Sequence, residues 1–333
     1  MKAAVIIPTK NPGPIFRSVL DAVLSQETEF DYEVLVIDSG STDGTQELVG
    51  DYEDARLRLH RIAPETFGHG RTRNLGASMT EAEYCAFLTH DALPVDRHWL
   101  ANLVATAEAA PDIAGVFGRH VAYPDASPFT RHELEQHFAG FQGHPVVRLS
   151  DDAQRYAEDT GWRQYAHYFS DNNALIRRSV WSEIPYPDVD FAEDQIWAQK
   201  IVEAGWAKAY AHDAPVYHSH DYTLLERLQR SFDEAYAFRR LFGYRLCPTF
   251  AHGIRSAAAL TRRDFGSARQ DRLHLRAPVT VARVPFDNLM RVAGHFLGAH
   301  GERVPEWLRL RLSRDKRMLR GLPAPSARRR SRA

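Results

Sequence analysis

Acidic and histidine side chains in this sequence of 333 residues come directly after short apolar runs. Asp38 follows the run EVLVI, with Asp43 in the same DSGSTDGT segment, and His90 and Asp91 follow YCAFLT. Carboxylates in such positions can accept hydrogen bonds from a ribose or a base, and they can bind a divalent cation together with phosphate oxygens. The same carboxylates could instead cap the helices that follow them.

A second polar cluster lies in the segment GHGRTRN. Two glycines bracket a histidine there, and Arg71, Arg73 and Asn74 follow where a helix is predicted to begin. Helix N-termini attract anions, and Arg presents paired donors that suit phosphate. The segment therefore indicates a phosphate site, unless both Arg side chains face solvent and the glycines only shape a loop.

Two more groups lie further along the chain. Glu193 and Asp194 open the predicted helix AEDQIWAQKIVEAGW. Acids in a first turn are favoured by the helix dipole alone, but one of them could also act as a general base in a cleft. His218 and His220 alternate in VYHSHDY. At least one of them is a candidate ligand of a metal ion or a phosphate group; the alternative is that both are structural.

The order of apolar segments predicts an α/β fold. Short buried strands alternate with amphipathic helices up to residue 110, which is typical of a doubly wound, mostly parallel sheet. Ligands bind such sheets at the carboxyl ends of the strands, so residues 10–11, 38–43 and 90–91 are expected at one rim. The predicted strands cover residues 3–8, 33–37, 56–62, 84–89, 113–123 and 207–218, with a strand that runs into a helix over 173–180.

Composition and missing motifs exclude several classes of protein. A formal net charge of -1 argues against a nucleic-acid binder. In IIPTKNPGP the first predicted strand runs into a proline-containing loop rather than a glycine-rich phosphate loop, which weighs against a dinucleotide enzyme and a P-loop protein. The two Cys residues fit a reducing compartment. With neither a signal peptide nor a run of about 20 apolar residues, we expect a cytoplasmic protein.

The C-terminal third differs in composition. We predict a main domain over residues 1–242, a helical extension over 243–322 that could pack against a second subunit, and a basic disordered tail over 323–333. Residues 303–332 are strongly basic. Such a stretch can be a solvated, frayed tail, or it can attract anionic lipid headgroups at the inner face of the plasma membrane.

Taken together and in order, these motifs resemble the family 2 glycosyltransferases of the GT-A fold. The segments that carry the resemblance are VIIPTKN, VIDSGSTDGT, GHGRTRNLGA, FLTHDALP and AEDQIWAQKIVEAGW. The resemblance as a whole covers roughly residues 1–242. FGHGRTRN, FAEDQIWA and VYHSHDY bring the sequence closest to the bacterial rhamnosyltransferase branch of that family.

The resemblance implies roles for individual residues. Asp194 would be the catalytic base, and Asp91 would be a ligand of Mg²⁺ or Mn²⁺. The first acid of the family's metal motif is replaced here by Thr89, so His218 or His220 would complete the metal site. A sugar nucleotide would be bound by Thr9, Asp38, Asp43, Arg71, Arg73, Asn74, His90 and Asn173.

The expected reaction is a single displacement with inversion, from dTDP-rhamnose or a similar donor to a saccharide or lipid-linked saccharide. It needs one base and no protein nucleophile. Two rival functions remain open: a nucleotidyltransferase that makes sugar nucleotides, and a non-catalytic module that binds them.

Overall fold

The computed structural model describes residues 1–189 and 191–315. These residues divide into two compact units. The first comprises Met1–Asp188 and Ala192–His220, and the second comprises the described residues from Asp221 onward together with Val189 and Phe191. The basic tail predicted over residues 323–333 lies outside the described part of the chain.

The first unit is built around one mixed sheet. Its order is β3-β2-β1-β4-β8-β6-β9-β5, and β7 pairs with β9. The strands are β1 (Ala3–Thr9), β2 (Tyr32–Asp38), β3 (Leu57–Arg61), β4 (Tyr84–Leu88), β5 (Leu93–Pro94), β6 (Ile113–Val121), β7 (Val146–Val147), β8 (Asn173–Arg177) and β9 (Ala207–Tyr217). The alternation of strands and helices up to residue 110 thus gives an α/β unit, as predicted.

Helices cover both faces of this sheet. They are α1 (Ile15–Leu24), α2 (Thr45–Gly50), α3 (His69–Ser78), α4 (Trp99–Glu108), α5 (Pro128–Ala139), α6 (Ala153–Glu158), α7 (Thr160–His167), α8 (Arg178–Glu183) and α9 (Glu193–Glu203). One core contains Phe16 and Trp99 from the helices, and the other contains Phe117 and Trp197. Strands buried on both sides read as continuous apolar runs, which is why the central strands could be recognised in the sequence.

Strand directions bring many strand ends to one rim. β1, β2, β3 and β4 are parallel, and β6 is parallel to β9. β8 is antiparallel to both β4 and β6, and its first residue, Asn173, pairs with Leu88 at the end of β4. The chain therefore enters β8 at the rim where its neighbours end.

The second unit is helical, as predicted for the extension. Its helices are α10 (Leu224–Leu241), α11 (Phe250–Gln270), α12 (Leu273–Arg276), α13 (Pro278–Ala299) and α14 (Glu306–Leu312). α13 packs closely on α10, because a Cβ at Gly294 or Gly298 would overlap the carbonyl of Leu228 or Phe232. α10 belongs to this unit, whereas the sequence placed the boundary after it, at residue 242. The three-part functional division stays a prediction.

Among the described residues, none of the helices combines the length and the apolar character needed to cross a bilayer.

Candidate active site

The turn after β2 is organised around a buried carboxylate. Asp38 pairs in register with Thr9, the last residue of β1. Its carboxylate accepts hydrogen bonds from the amides of Gly40 and Ser41 (both 3.1 Å) and from Nε2 of Gln46 (2.6 Å). Two of these bonds are internal to the turn and the third comes from a side chain of α2, and together they fix the carboxylate at the rim. They do not cap α2, which begins only at Thr45.

The turns after β1 and β2 are joined to each other. Asp43 accepts a hydrogen bond from the amide of Gly13 (3.0 Å), and its bond from the Thr45 hydroxyl lowers the pKa of its carboxyl. Asn11 has a positive φ of 46°, a region that Asn tolerates, and its Oδ1 accepts from the amide of Thr42 (2.7 Å). The two turns therefore form one preorganised edge.

Arg71 and Arg73 point in opposite directions from α3. The Arg71 side chain is 52% exposed and its Nη2 lies 3.1 Å from Asp188. The Arg73 side chain is only 5% exposed, and its Nε lies 3.1 Å from Oδ2 of Asp171. Its Nη1 lies 2.7 Å from Oε1 of Glu193. Two residues along a helix correspond to about 200° of rotation, so the two guanidinium groups serve different sites.

Asn74 connects α3 to the segment before α9 through side-chain hydrogen bonds. Its Nδ2 donates to the carbonyl of Tyr186 (2.9 Å), and its Oδ1 accepts from Nε1 of Trp181 (2.8 Å) and from the amide of Tyr186 (3.0 Å). A side-chain amide with these three bonds has little capacity left for a ligand. A role in nucleotide binding stays a prediction for Asn74.

Three acids surround Arg73. Asp171 and Glu193 contact it directly, and Asp194 lies beside them, where its Oδ2 accepts from the amide of Asp171 (3.4 Å). Tyr186 donates its hydroxyl proton to Oδ1 of Asp171 (2.8 Å). One guanidinium cannot neutralise three carboxylates, so the group should hold protons near neutral pH.

Burial raises the pKa of all three carboxyls. For Asp171 and Glu193, the positive charge of Arg73 lowers the carboxyl pKa, but by less than burial raises it. For Asp194, burial and the nearby Glu193 together raise the pKa to about 7. A general base is most effective when its pKa lies near the working pH, and Asp194 meets that condition.

The local backbone directs Asp194 into this group. Ala192, immediately before α9, has a left-handed φ of 56°, which costs roughly 1–2 kcal/mol for a residue with a side chain. α9 then starts with Glu193 and Asp194 in its first turn. Strained residues cluster at functional sites, and this one sets the point at which both acids begin the helix.

A second cluster combines one carboxylate with two imidazoles. Nε2 of His218 lies 3.7 Å from Oδ1 of Asp91, and Nε2 of His220 lies 3.5 Å from Oδ2. One potential ligand atom from each of the three residues lies within 4.8 Å of the others. Burial alone would raise the pKa of Asp91, but His218 and the other imidazoles nearby, including His90, bring it below its usual value.

The backbone around this cluster is held firmly. The amide of His218 donates to the carbonyl of Val121 (2.9 Å), and the Tyr123 hydroxyl donates to the carbonyl of Asp91 (3.0 Å). His120 is buried, and its ring lies 5.1 Å from that of His218 in an edge-on arrangement. A carboxylate and two imidazoles are a reasonable donor set for a divalent metal ion, so the residues fit the cation that the motif implied.

The two clusters are neighbours along the rim. The amide of Thr89 donates to the carbonyl of Asn172 (3.5 Å), which connects the segment of Asp91 to that of Asp171. The amide of Asp171 in turn bonds to Asp194. A continuous chain of contacts thus joins the candidate base to the candidate metal ligands.

The side chain of Asn173 forms hydrogen bonds within the fold. It is completely buried, its Nδ2 donates to the carbonyl of Ala214 (2.8 Å), and its Oδ1 accepts from Nε1 of Trp99 (2.8 Å). The side chain therefore ties β8 to the segments around it, and its predicted contact with a sugar stays a prediction.

Sequence reasoning missed two side chains at this rim, Tyr186 and His120. Tyr186 lies outside every motif, and its partner Asp171 is 15 residues away. His120 lies within a predicted strand, but its proximity to His218 depends on the pairing of β6 with β9. Alternation along a strand indicates which residues share a face, but it does not identify the neighbouring strand.

Comparison with known proteins assigns the chain to a family of glycosyltransferases. Residues 4–184 match the family described as Glycosyl transferase family 2, and the chain belongs to that family. The O-antigen chain rhamnosyltransferase RfbN of Salmonella typhimurium is 31% identical over 318 residues, which cover 92% of each chain. The O-antigen chain rhamnosyltransferase WbaN of Salmonella anatum is 26% identical over 90% of each chain.

Solved structures show the same fold. The mannosyltransferase PcManGT from Pyrobaculum calidifontis, in complex with GDP-Man and Mn2+, superposes with a TM-score of 0.59 at 21% identity over 89% of this chain and 87% of that one. TarS 1-349 of S. aureus in complex with UDP-GlcNAc gives 0.52 at 18% identity over 91% and 92% of the two chains. The GT-A prediction is confirmed. Members of the family bind sugar nucleotides and saccharide acceptors.

Proposed function

We propose that this glycosyltransferase transfers L-rhamnose from dTDP-rhamnose to a hydroxyl group of a saccharide acceptor, with inversion at the anomeric carbon. The observation that carries the choice of sugar is the full-length similarity to two O-antigen chain rhamnosyltransferases. A growing saccharide on a lipid carrier is the acceptor that this similarity favours.

Asp194 is the proposed base. It would take the proton from the acceptor hydroxyl as that oxygen attacks the sugar. Its pKa of about 7 supports this role, because such a carboxyl is partly ionised at neutral pH and is still basic enough to accept the proton. Arg73, Asp171 and Tyr186 would hold Asp194 and its surroundings in place rather than contact the donor.

Asp91, His218 and His220 are the proposed metal ligands. A divalent ion there would supply positive charge for the diphosphate leaving group. Mg²⁺ prefers oxygen ligands in octahedral geometry, whereas imidazole nitrogens suit transition-metal ions better. We therefore favour Mn²⁺ over Mg²⁺. Arg71, which is exposed, and the polar side chains at the ends of β1 and β2 are candidates for donor contacts.

The proposal is tested by replacing Asp194 with Asn. We expect D194N to lose transfer by a factor of at least about 1,000, because general-base catalysis and correct positioning are lost together. Binding of the nucleotide should change less than about threefold, since Asp194 is assigned to the acceptor side. Transfer is measured with purified donor and acceptor, and nucleotide binding by calorimetry.

The variant should also fold normally. A neutral amide replaces a carboxyl whose pKa is raised, so the melting temperature of D194N at pH 8 should be no lower than that of the wild type. Transfer at the wild-type rate would remove Asp194 from the mechanism. A panel of sugar nucleotides tests the sugar separately, and preference for another donor would overturn the rhamnose assignment alone.

The rival functions give different results in the same assays. A nucleotidyltransferase would release pyrophosphate from a nucleoside triphosphate. A non-catalytic module would bind a sugar nucleotide tightly but neither transfer nor hydrolyse it.

A further inference from the structure

The hairpin formed by α11 and α13 exposes large apolar side chains. Val279 is 81% exposed, and Ile254 and Phe286 are each 57% exposed. They belong to a set that we call the apolar face, which consists of Ile254, Phe265, Val279, Phe286 and Leu289. Single exposed apolar residues are ordinary in proteins, whereas a grouped set marks an interaction surface.

Helix geometry places three of the five side chains of the apolar face on one side of the hairpin. Oδ2 of Asp264 on α11 lies 2.8 Å from Nδ2 of Asn288 on α13, and Gly253 lies next to Val292, so the helices run antiparallel. From the Asp264–Asn288 contact, a rotation of about 100° per residue brings Ile254, Phe265 and Leu289 to the same side of the hairpin. Phe286 and Val279 lie further round the exposed surface of α13, away from α11. α10 contacts α13 from another side, at Gly294.

Positive charge surrounds this face. Residues 250–299 contain eight Arg and three Asp, with no Lys or Glu. Of the three acids, Asp264 is buried, Asp287 pairs with Arg283, and only Asp271 is exposed. Five exposed Arg residues on the hairpin, which we call the basic rim, form no ion pair with any described residue: Arg255, Arg262, Arg269, Arg272 and Arg276.

We propose that the apolar face docks on an anionic lipid bilayer, with the basic rim on the lipid phosphates. Helices that lie in a membrane interface combine large apolar side chains on one side with Lys or Arg beside them, and the hairpin has this composition. A second copy of the chain fits the surface poorly, because pairing two such faces would bring the basic rims together.

The inference does not depend on which sugar is transferred. It places the enzyme at a membrane surface, where a lipid-linked saccharide would be found. It also differs from the prediction made for residues 303–332, because the hairpin precedes that stretch and carries its own charge.

The test is flotation of the full chain with vesicles of phosphatidylcholine alone or mixed with phosphatidylglycerol. The wild type should bind only the anionic vesicles. The variant I254S/F286S/L289S should bind them at least about tenfold more weakly. Leu225→Ser on α10 is the matched control, because Leu225 is 60% exposed in the same unit but lies outside the apolar face, and it should bind like the wild type.

A second variant tests the charges. R255Q/R262Q/R269Q should also weaken binding about tenfold or more, and added salt should weaken binding of the wild type. The control R17Q/R61Q/R97Q removes the same charge at exposed positions of the first unit and should change binding less than about threefold. Circular dichroism and melting temperatures establish that each variant folds.

Three outcomes would overturn the inference. The first is a wild type that does not prefer anionic vesicles. The second is undiminished binding by the apolar variant, which would assign binding to the basic C-terminal stretch. The third is an oligomer that forms without lipid and dissociates in the apolar variant, with no vesicle binding, which would make the face a protein interface. None of these results bears on rhamnose transfer, which is assayed separately.

Discussion

At the scale of single residues, Arg73 is the side chain that organises the acids of the candidate active site. It contacts Asp171 and Glu193 directly, and its charge opposes the rise in pKa that burial causes for both. A buried charge that loses its partner is costly. Asp194 lies beside this pair, so the protonation state of the proposed base depends on a residue that need not touch the substrate.

Arg73→Met should therefore destabilise the protein in a pH-dependent way. The pKa of each acid is higher in the folded chain than in the unfolded chain, so folding takes up protons between about pH 4 and 7. These acids therefore lower the free energy of unfolding as the pH rises through that range. Without Arg73 their pKa values rise further. We expect a loss of about 3–5 kcal/mol at pH 8 and a clearly smaller loss at pH 5, measured by urea unfolding.

Arg71→Met is the matched control. Its ion pair with Asp188 is exposed, and such pairs contribute about 0–1 kcal/mol. An equal loss for Arg73→Met at both pH values would mean that packing, and not charge, is the role of Arg73.

The opposite orientations of the two Arg side chains could have been predicted from the sequence. A helix was predicted to begin in the segment of Arg71 and Arg73, and side chains two residues apart on a helix point about 200° away from each other. Arg71 and Arg73 therefore could not both face one diphosphate. The partners of Arg73 could not be predicted, because Asp171 and Glu193 are about 100 residues away in the chain.

At the scale of elements, the start of α3 lies against the segment that leads to α9. A Cβ at Gly70 would overlap the carbonyl oxygen of Pro187, whereas a Cβ at Gly68 would be 3.5 Å from its nearest neighbours. Gly68 has an extended backbone with a φ of -158°, so it needs no glycine. The close approach of Pro187 therefore requires a glycine at position 70 but not at position 68.

Gly70→Ala should lower stability by about 1–3 kcal/mol, as overpacking commonly does, and it should weaken transfer because α3 carries Arg73. Gly68→Ala should be within about 0.5 kcal/mol of the wild type. Thermal unfolding and transfer assays on the two variants provide the measurement. Equal behaviour of the pair would contradict this account of the contact between α3 and Pro187.

Most elements of the first unit could be predicted because their apolar periodicity is strong. The direction of β8 could not, because its short run of apolar residues fits a parallel or an antiparallel neighbour equally well. β5 and β7 have two residues each, which is too short for any periodic pattern. The helical character of the extension over residues 243–322 was predicted, but its grouping with α10 depends on the close approach of Gly294 and Gly298 to α10.

At the scale of the whole molecule, ligand binding should appear as increased resistance to unfolding. A ligand at 100 times its Kd stabilises the folded state by about 2.7 kcal/mol. We expect Mn²⁺ together with dTDP to raise the melting temperature by about 4 °C or more, and Mg²⁺ to raise it less, because two of the three proposed ligands are imidazoles.

The variant H218A/H220A should lose the Mn²⁺-dependent part of this increase. His98→Ala is the control, because His98 is exposed and pairs with Glu27 (3.6 Å) away from the proposed ligands. An unchanged Mn²⁺ response in the double variant would assign the metal to other residues.

The reversed direction of β8 also affects how the enzyme can diversify. β6 ends at the rim of the candidate active site and β8 begins there, so residues 122–172 form one long connection that starts and ends at that rim. Within this segment, which the structure describes in full, only β7, Val146–Val147, pairs with the sheet, so strand pairing constrains little of its length. We expect homologous enzymes with different acceptors to differ mainly by insertions and replacements in this connection, while the turns after β1 and β2, the proposed donor contacts, stay similar.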